Sequence, residues 1–345
     1  MNTNLAAKED RSSFLAYALG TSAGRIFLVF ALVVIVLGIS SPSFLTLENI
    51  VNLTRQMVFI SIIAFAASFV IGLGGIDLSV GANVALTGLV MGDLILYGVN
   101  IYLAIVIGLV LGAFYGLVNG LLINRLGIAP FIATLATMII GRGIIQVYSG
   151  GIPKTGLQYE EFVFWGQGLI LGVPVPVIVM VLAFIAFYYL MYRTKFGRFS
   201  LSIGSNREAA RLVGIPVPRI EITVYVLTGL AAAVSSLLLT SRLEAAMPEA
   251  ATNYELDVIA AVVIGGTSLI GGRVSLLGTL IGAALMAVVR NGINLLNVNT
   301  FWQQVVIGSI ILVAIAYDGI AARRARQKQA PKTQSTPVHR ELVAK

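Results

Sequence analysis

Two stretches place a carboxylate where a polar turn gives way to an apolar run: Gly74-Gly-Ile-Asp77-Leu-Ser79-Val-Gly-Ala82 and Tyr254-Glu-Leu-Asp257. In the first, the glycines allow a tight reversal, and Asp77 or Ser79 supplies the side-chain oxygen that caps a following helix. The same oxygens can instead touch a solute. Glu255 and Asp257 are expected to do a similar capping job on the opposite side of the membrane. Ionisable groups within apolar segments are expensive and ask for a partner or a water-filled path. Arg142, after Met138-Ile-Ile-Gly141, is the clearest case, with Asp93 or another carboxylate as its expected partner. Asn83, Asn119, Thr134, Thr137 and Gln146 add uncharged donors and acceptors. Facing a bundle interior, they suit a hydroxylated solute. The competing role is hydrogen bonding between helices, worth about 0.6 kcal/mol each. Asp77, Ser79, Asn83, Asn119, Thr134, Thr137, Arg142, Gln146 and Asp257 are thus the candidates for a translocation pathway or its gate.

Other chemistries are excluded by what the chain lacks. It has no cysteine, and its one histidine, His339, lies in the polar tail. Thiol chemistry and zinc or haem sites built on His and Cys drop out, so no metal site is expected. No G-x-x-x-x-G-K-[ST] phosphate loop occurs, so any ATP-driven step needs a separate ATPase chain. Gly72-x-Gly74 is not a dinucleotide fingerprint, because no strand precedes it. No nucleophile–base constellation stands out, so the chain is expected not to be an enzyme and to bind no cofactor itself.

A polar, basic island runs from Gly204 to Pro218 between two long apolar segments. Ser205 and Glu208 make an S-x-x-E capping box, which predicts a helix starting at Asn206. Gly214 is placed to end it about two turns on, and Pro216 blocks continuation. A short, capped helix bearing Arg207 and Arg211 suits the docking of a soluble partner. An ordinary solvated loop that satisfies the charge rule for topology is the other reading.

These residues must be positioned by membrane-spanning helices. The chain has 345 residues, of which 58% are hydrophobic and 11% charged, less than half the charge of a soluble domain. Runs of about 20 apolar residues recur, each long enough to cross a hydrocarbon core. A β-barrel is excluded, since its strands would be about 10 residues long and alternating. The fold class is therefore an all-α polytopic membrane protein of about ten helices. The spans lie near 25–41, 56–72, 78–97, 101–123, 128–149, 173–192, 220–241, 256–271, 275–291 and 302–318, the third and eighth shortened by glycine-rich starts. The first is expected to be a retained span and not a removed signal peptide. With the amino terminus inside, the outer loops hold only Arg55, Lys154 and Arg242, and Arg142 and Arg290 sit within or at the ends of spans. The remaining basic residues fall on the inner side, which places both termini and the 193–219 loop in the cytoplasm. The net charge of +8 thus reflects topology and not nucleic-acid binding. The division is an amino-terminal segment 1–24, a membrane domain 25–318 and a basic tail 319–345 expected to be disordered. The outer loops 150–172 and 242–255 are mildly acidic, which suits either an extracytoplasmic partner or plain solvation. Gly108-Leu-Val-Leu-Gly-Ala113 echoes Gly278-Thr-Leu-Ile-Gly-Ala283, each one span after an acidic start. Two inverted halves of five spans or chance likeness of glycine-rich helices both account for it.

Together these residues resemble the permeases of sugar-importing ABC transporters, in the ribose, xylose, arabinose and galactose group. The resemblance rests on Gly74 to Gly81, Pro130-Phe-Ile-Ala-Thr-Leu135, Gly204 to Ile215, Tyr254 to Ser268 with Gly271-Gly272 and Gly278 to Gly282, and Asn291-Gly-Ile-Asn-Leu-Leu296. It covers residues 40 to 320, with ribose permeases nearest. It implies the vitamin-B12-type (type II) importer permease fold, with two pseudo-repeated halves. It also implies a homodimer enclosing the pathway in the bacterial inner membrane, a binding protein delivering sugar from outside, and a cytoplasmic ATPase that uses ATP and Mg. The coupling helix would then comprise Ser205, Asn206, Arg207, Glu208, Ala209, Ala210, Arg211, Leu212 and Gly214. Arg207, Glu208 and Arg211 would make polar contacts with the ATPase, and Ala209, Ala210 and Leu212 would pack. Asn83 departs from the pattern, where a small or apolar residue is expected. Alternatives are an ABC permease for another small polar solute (a signalling furanose, a nucleoside or a branched-chain amino acid), a carrier coupled to protons through Asp77, Asp93 or Asp257, and a passive channel.

Overall fold

The computed structural model describes residues 22–299, 302–310, 312, 313 and 316. The expected tail 319–345 and most of the segment 1–24 lie outside the described residues. The helices are α1 (Ser22–Ser40), α2 (Leu47–Gly72), α3 (Val80–Leu96), α4 (Ile101–Arg125), α5 (Pro130–Ser149), α6 (Glu160–Gln167), α7 (Val175–Arg193), α8 (Lys195–Ser205), α9 (Arg207–Leu212), α10 (Val217–Leu243), α11 (Tyr254–Ile264) and α12 (Leu276–Leu295). Residues 302–310 are also helical. Among the described residues, seven helices are long and apolar enough to cross a membrane: α1, α2, α4, α5, α7, α10 and α12. The chain is a polytopic helical membrane protein.

The two spans expected to start on glycines are short. α3 has 17 residues and α11 only 11. The expected span 256–271 stops being helical at Ile264, because Gly265-Gly266 and Gly271-Gly272 break the backbone, with Gly266, Gly271 and Gly272 at positive φ. The all-helical expectation also needs a small correction. Two antiparallel two-residue ribbons, β1 (Lys154–Thr155) with β4 (Ala245–Ala246) and β2 (Leu169–Ile170) with β3 (Val173–Pro174), close the connections around α6.

α2 is the axis of the molecule. From Met57 onward its sequence is apolar on nearly every side, the pattern of a helix enclosed by protein, and every residue from Val58 to Gly72 is buried. α10, α12, α11 and α7 surround it. Cross-links mark its length: Ser235 Oγ donates to Phe59 O at 2.9 Å, Ser68 and Thr279 hydroxyls meet at 3.0 Å, and Gly272 N donates to Gly72 O at 2.9 Å. The outer helices α1, α4, α5 and α7 instead leave large apolar side chains exposed, as lipid-facing helices do.

The closest helix pair is α4 with α10. Gly108, Gly112, Gly116 and Gly120 line one face of α4 at four-residue spacing and are all buried. In hydrocarbon, where burial of apolar surface gives no net drive, such small faces let backbones approach and gain dispersion contacts. A Cβ on Gly116 would lie 2.8 Å from the Tyr225 carbonyl carbon and 3.0 Å from Val226 Cα, both backbone atoms that cannot swing away. Gly143 on α5 has nothing within 4 Å. Gly116→Val should therefore force α4 off α10 at a cost of at least about 1–3 kcal/mol, lowering the melting temperature and the monodisperse yield in detergent. Gly143→Ala, measured alongside, should match the parent.

Candidate functional site

The candidate residues fall into three groups at different places in the bundle. The first lies where the chain leaves α2 and before it enters α3. Residues 75–79 are non-helical, so their backbone groups need partners from elsewhere. Asp77 Oδ1 accepts from Ser79 N at 2.9 Å and from Ser79 Oγ at 2.6 Å. Asn119 Nδ2 donates to Ser79 Oγ at 2.7 Å, and Thr137 Oγ1 donates to Asn119 Oδ1 at 2.7 Å. Thr134 Oγ1 donates to Ile76 O at 3.1 Å, and Tyr115 OH to Thr137 O at 2.5 Å. Five residues picked from sequence thus meet in one relay across the α2–α3 connection, α4 and α5, and all five are buried. Tyr115 was missed, because a tyrosine in an apolar run gives no signal of its partner.

This geometry corrects the expected cap. Ser79 occupies the N-cap position of α3 but its side chain makes no capping bond. Asp77 closes a turn onto Ser79 instead. Asn83 is buried between three helices, its Nδ2 donating to Gly112 O and Gly229 O, each at 3.2 Å. It holds α3 to the glycine face between α4 and α10.

The second group lies at the turn 247–253 and the α11–α12 hairpin. Arg142 does not meet Asp93, which pairs instead with Lys154 at 3.3 Å and accepts from Tyr148 OH. Arg142 reaches 106 and 108 residues along the chain to donate from Nη1 to Pro248 O at 3.3 Å and Ala250 O at 2.9 Å. Gln146, one turn further along α5, donates to Glu249. Asp257, buried, pairs with Arg290 at 2.5 Å. The expectation that the Tyr254–Asp257 stretch caps its helix fails, because Asn253 holds the N-cap position at φ +66° with no side-chain bond. Nearby, Gln56, Phe59, Arg242, Tyr254 and Arg290 line a cavity of about 190 Å³.

The third group is α9. Asn206, not Ser205, caps it: Asn206 Oδ1 accepts from Ala209 N at 2.9 Å. Ser205 still belongs to α8, where its hydroxyl donates back to Leu201 O at 2.9 Å. The capping-box pattern misplaced the boundary by one residue because two helices abut there without a loop. Gly214, at φ +82°, ends the helix as expected, with Ile215 N donating to Ala210 O at 3.1 Å. Arg207 stays exposed, and at the same time it pairs at 2.9 Å with Glu221, a buried carboxylate in the second turn of α10. Ala210 turns inward, against Ile203, Val217 and Ile220. Ala209, Glu208 and Arg211 stay exposed, as do Leu212 at 87% and Val213 at 77%. Glu221 was missed, although a lone acid entering an apolar span was signal enough.

Three backbones cross just behind α9. A Cβ on Gly204, in the last turn of α8, would lie 2.7 Å from Gly272 N and 2.9 Å from the Gly72 carbonyl carbon. One on Gly272 would lie 3.1 Å from Ser205 Cα. The last turn of α8, on which α9 follows without a loop, therefore rests directly on the end of α2 and on the turn between α11 and α12.

Residues 49–315 match the family model described as branched-chain amino acid transport system / permease component. The chain is 49% identical to the ribose import permease of Bacillus subtilis (strain 168) over 85% of its own length and 91% of that protein's. It is 42% identical to the ribose import permease of Escherichia coli (strain K12), covering 81% and 88%. It is 39% identical to the L-arabinose ABC transporter permease of Azospirillum brasilense, covering 85% and 86%. No solved structure matches it.

Because Asp77 accepts two bonds inside the bundle, Asp77→Ala strands the Ser79 backbone N–H at a cost of about 1–3 kcal/mol. The variant should give less folded protein in detergent, with unchanged preference among the solutes carried. A well-folded variant with altered preference would show that Asp77 meets solute.

Proposed function

Since the chain belongs to the permease family described as branched-chain amino acid transport system / permease component, we propose that it is the membrane subunit of an ATP-driven importer of a ribose-like monosaccharide. Identity of 38–49% to ribose import permeases over most of the chain supports the sugar class. Two copies would enclose the pathway in the bacterial inner membrane. A binding protein would deliver sugar at the face carrying residues 150–172, and a cytoplasmic ATPase, with its ATP and Mg, would dock at the face carrying α9. The arginine-lined cavity at Arg242 and Arg290 is a suitable seat for acidic groups of the binding protein.

Ten spans and the type II arrangement are the finer part of this reading. The seven long helices, the shorter α3 and α11, and the helix containing residues 302–310 add up to ten segments, with α2 enclosed by the others. Ten crossings would put both termini on the cytoplasmic side. The two halves also echo each other: in each, a broken, acid-bearing turn opens a short helix, and a glycine-faced helix follows.

The observation that carries the coupling role is the asymmetry of α9. One side is fixed to the permease by the Arg207–Glu221 pair and buried Ala210, and the other presents Leu212 and Val213 beside Glu208 and Arg211. Exposed apolar side chains on a rigid polar-rimmed knob suit a cleft in a soluble protein. Ala210 serves the fold, and Arg207, tied to Glu221 yet exposed, would join Glu208 and Arg211 in the polar contacts to the ATPase.

The test is reconstitution in liposomes with the ATPase and binding protein. D-ribose uptake should require ATP and survive a protonophore. Glu208→Arg should insert normally and retain ATP hydrolysis, yet uptake per ATP should fall at least tenfold. Parental uptake by that variant would remove α9 as the coupling element.

A further inference from the structure

Residues 247–253 leave the face of the molecule and turn back into the bundle. Pro248 and Ala251 are buried, and Ala251 and Asn253 hold positive φ, a backbone cost that persists only where surroundings enforce it. The enforcing groups come from α5. Arg142 binds two carbonyls of this segment, and Gln146 binds Glu249. A guanidinium in an apolar span that bonds neutral carbonyls keeps a charge not neutralised by contact, although a carboxylate lies in reach.

That carboxylate is Glu255. A Cβ on Gly81 would lie 2.6 Å from Glu255 Oε2, 3.3 Å from Arg142 Nη2 and 2.5 Å from Ala251 O. Guanidinium and carboxylate therefore face each other over the bare first turn of α3, and they do not close an ion pair. Glu255 Oε2 is buried with no hydrogen-bond partner. A buried acceptor without a hydrogen bond is unfavourable, more so when charged, so a small movement of Arg142 toward Glu255 would be favourable.

Resting on the sugar-importer reading, we infer that residues 247–253 form a strap over the outer mouth of the pathway, latched to α5 by Arg142 and Gln146, with Glu255 as the second acceptor to which Arg142 transfers when the strap lifts. Both states then satisfy Arg142, which makes the latch two-state instead of gradually deformable. Lifting frees the Pro248 and Ala250 carbonyls and the Glu249 carboxylate at the mouth, where sugar hydroxyls can take their place as donors. Glu249 and Glu255 become positioning residues of the gate. Gly81 is required because any side chain there would occupy the space in which Arg142 changes partners.

The chain has no cysteine of its own, so paired thiols report on the strap directly. In Gln146→Cys/Glu249→Cys, reconstituted with the ATPase and binding protein, joining the thiols with a short cleavable bis-methanethiosulfonate should lower D-ribose uptake at least tenfold below that of the same variant before linking. Reductant should restore it in the same vesicles. Uptake that is unchanged by completed cross-linking overturns the strap. Glu255→Gln should slow uptake several-fold without changing cross-linking yield. Parental uptake by this variant, or loss of the cross-link, overturns the transfer of Arg142. Unmodified protein that carries no D-ribose, L-arabinose or D-allose with ATP present would count against the importer reading instead.

Discussion

A backbone that leaves the helical ladder inside an apolar bundle must find hydrogen bonds from somewhere other than water. This chain does so at 73–79 and at 247–253, and the placement of Asp77, Ser79, Asn119, Thr134, Thr137, Arg142 and Gln146 follows from those two departures. At the first, Gly74 N and Gly75 N bond back to Ile71 O and Val70 O, Asp77 takes Ser79 N, and Thr134 takes Ile76 O. At the second, Arg142 supplies both donors. Side chains that look from composition like a polar solute path are in large part committed to the protein's own main chain. A permease whose affinity resides in a separate binding protein can tolerate that, because its pathway needs to pass sugar and not to hold it.

Glycine does the complementary work. Where polar side chains span gaps in the ladder, glycines remove side chains so that intact backbones can touch. The α4 face does this against α10, and Gly265, Gly278 and Gly282 do it between α11 and α12, where a Cβ on Gly265 would lie 2.5 Å from Thr279 N. The tight packing around α2 follows: a buried axial helix is held by close neighbours, and cross-links such as Ser68 with Thr279 keep register along it.

Much of this was legible in the sequence, and the limits were physical. Apolar runs located every long helix, and glycine-rich starts identified α3 and α11 as the short ones. The nine pathway candidates were picked as polar groups within or beside apolar runs. Their partners were not legible, since Arg142 reaches a carbonyl 108 residues away and Asn119 a hydroxyl 40 residues back. Local pattern carries no such information. The capping box failed for a related reason. S-x-x-E describes a helix start after a loop, and here Ser205 was still inside the preceding helix, leaving Asn206 to cap. Ala210 was assigned outward because a sequence does not show that Ile203 waits on the inner side, nor does it show that the exposed Arg207 has Glu221 in reach.

The junction behind α9 constrains how any load applied there can act. α9 is only six residues long, too short to flex usefully, and Arg207–Glu221 ties it to the foot of α10. The last turn of α8, which abuts α9 without a loop, meets Gly72 and Gly272 through backbone contacts with no compressible side chain between them. A displacement of α9 would therefore move α10, the end of α2 and the α11–α12 turn together, since close-packed interiors shift as units and do not absorb strain smoothly. α11 is the short helix whose far end carries Glu255 and follows the 247–253 turn, and α2 leads into the broken connection that opens α3. These two interruptions in the ladder thus sit at the ends of the elements that α8 and α9 contact, and yielding there costs side-chain bonds instead of helix bonds.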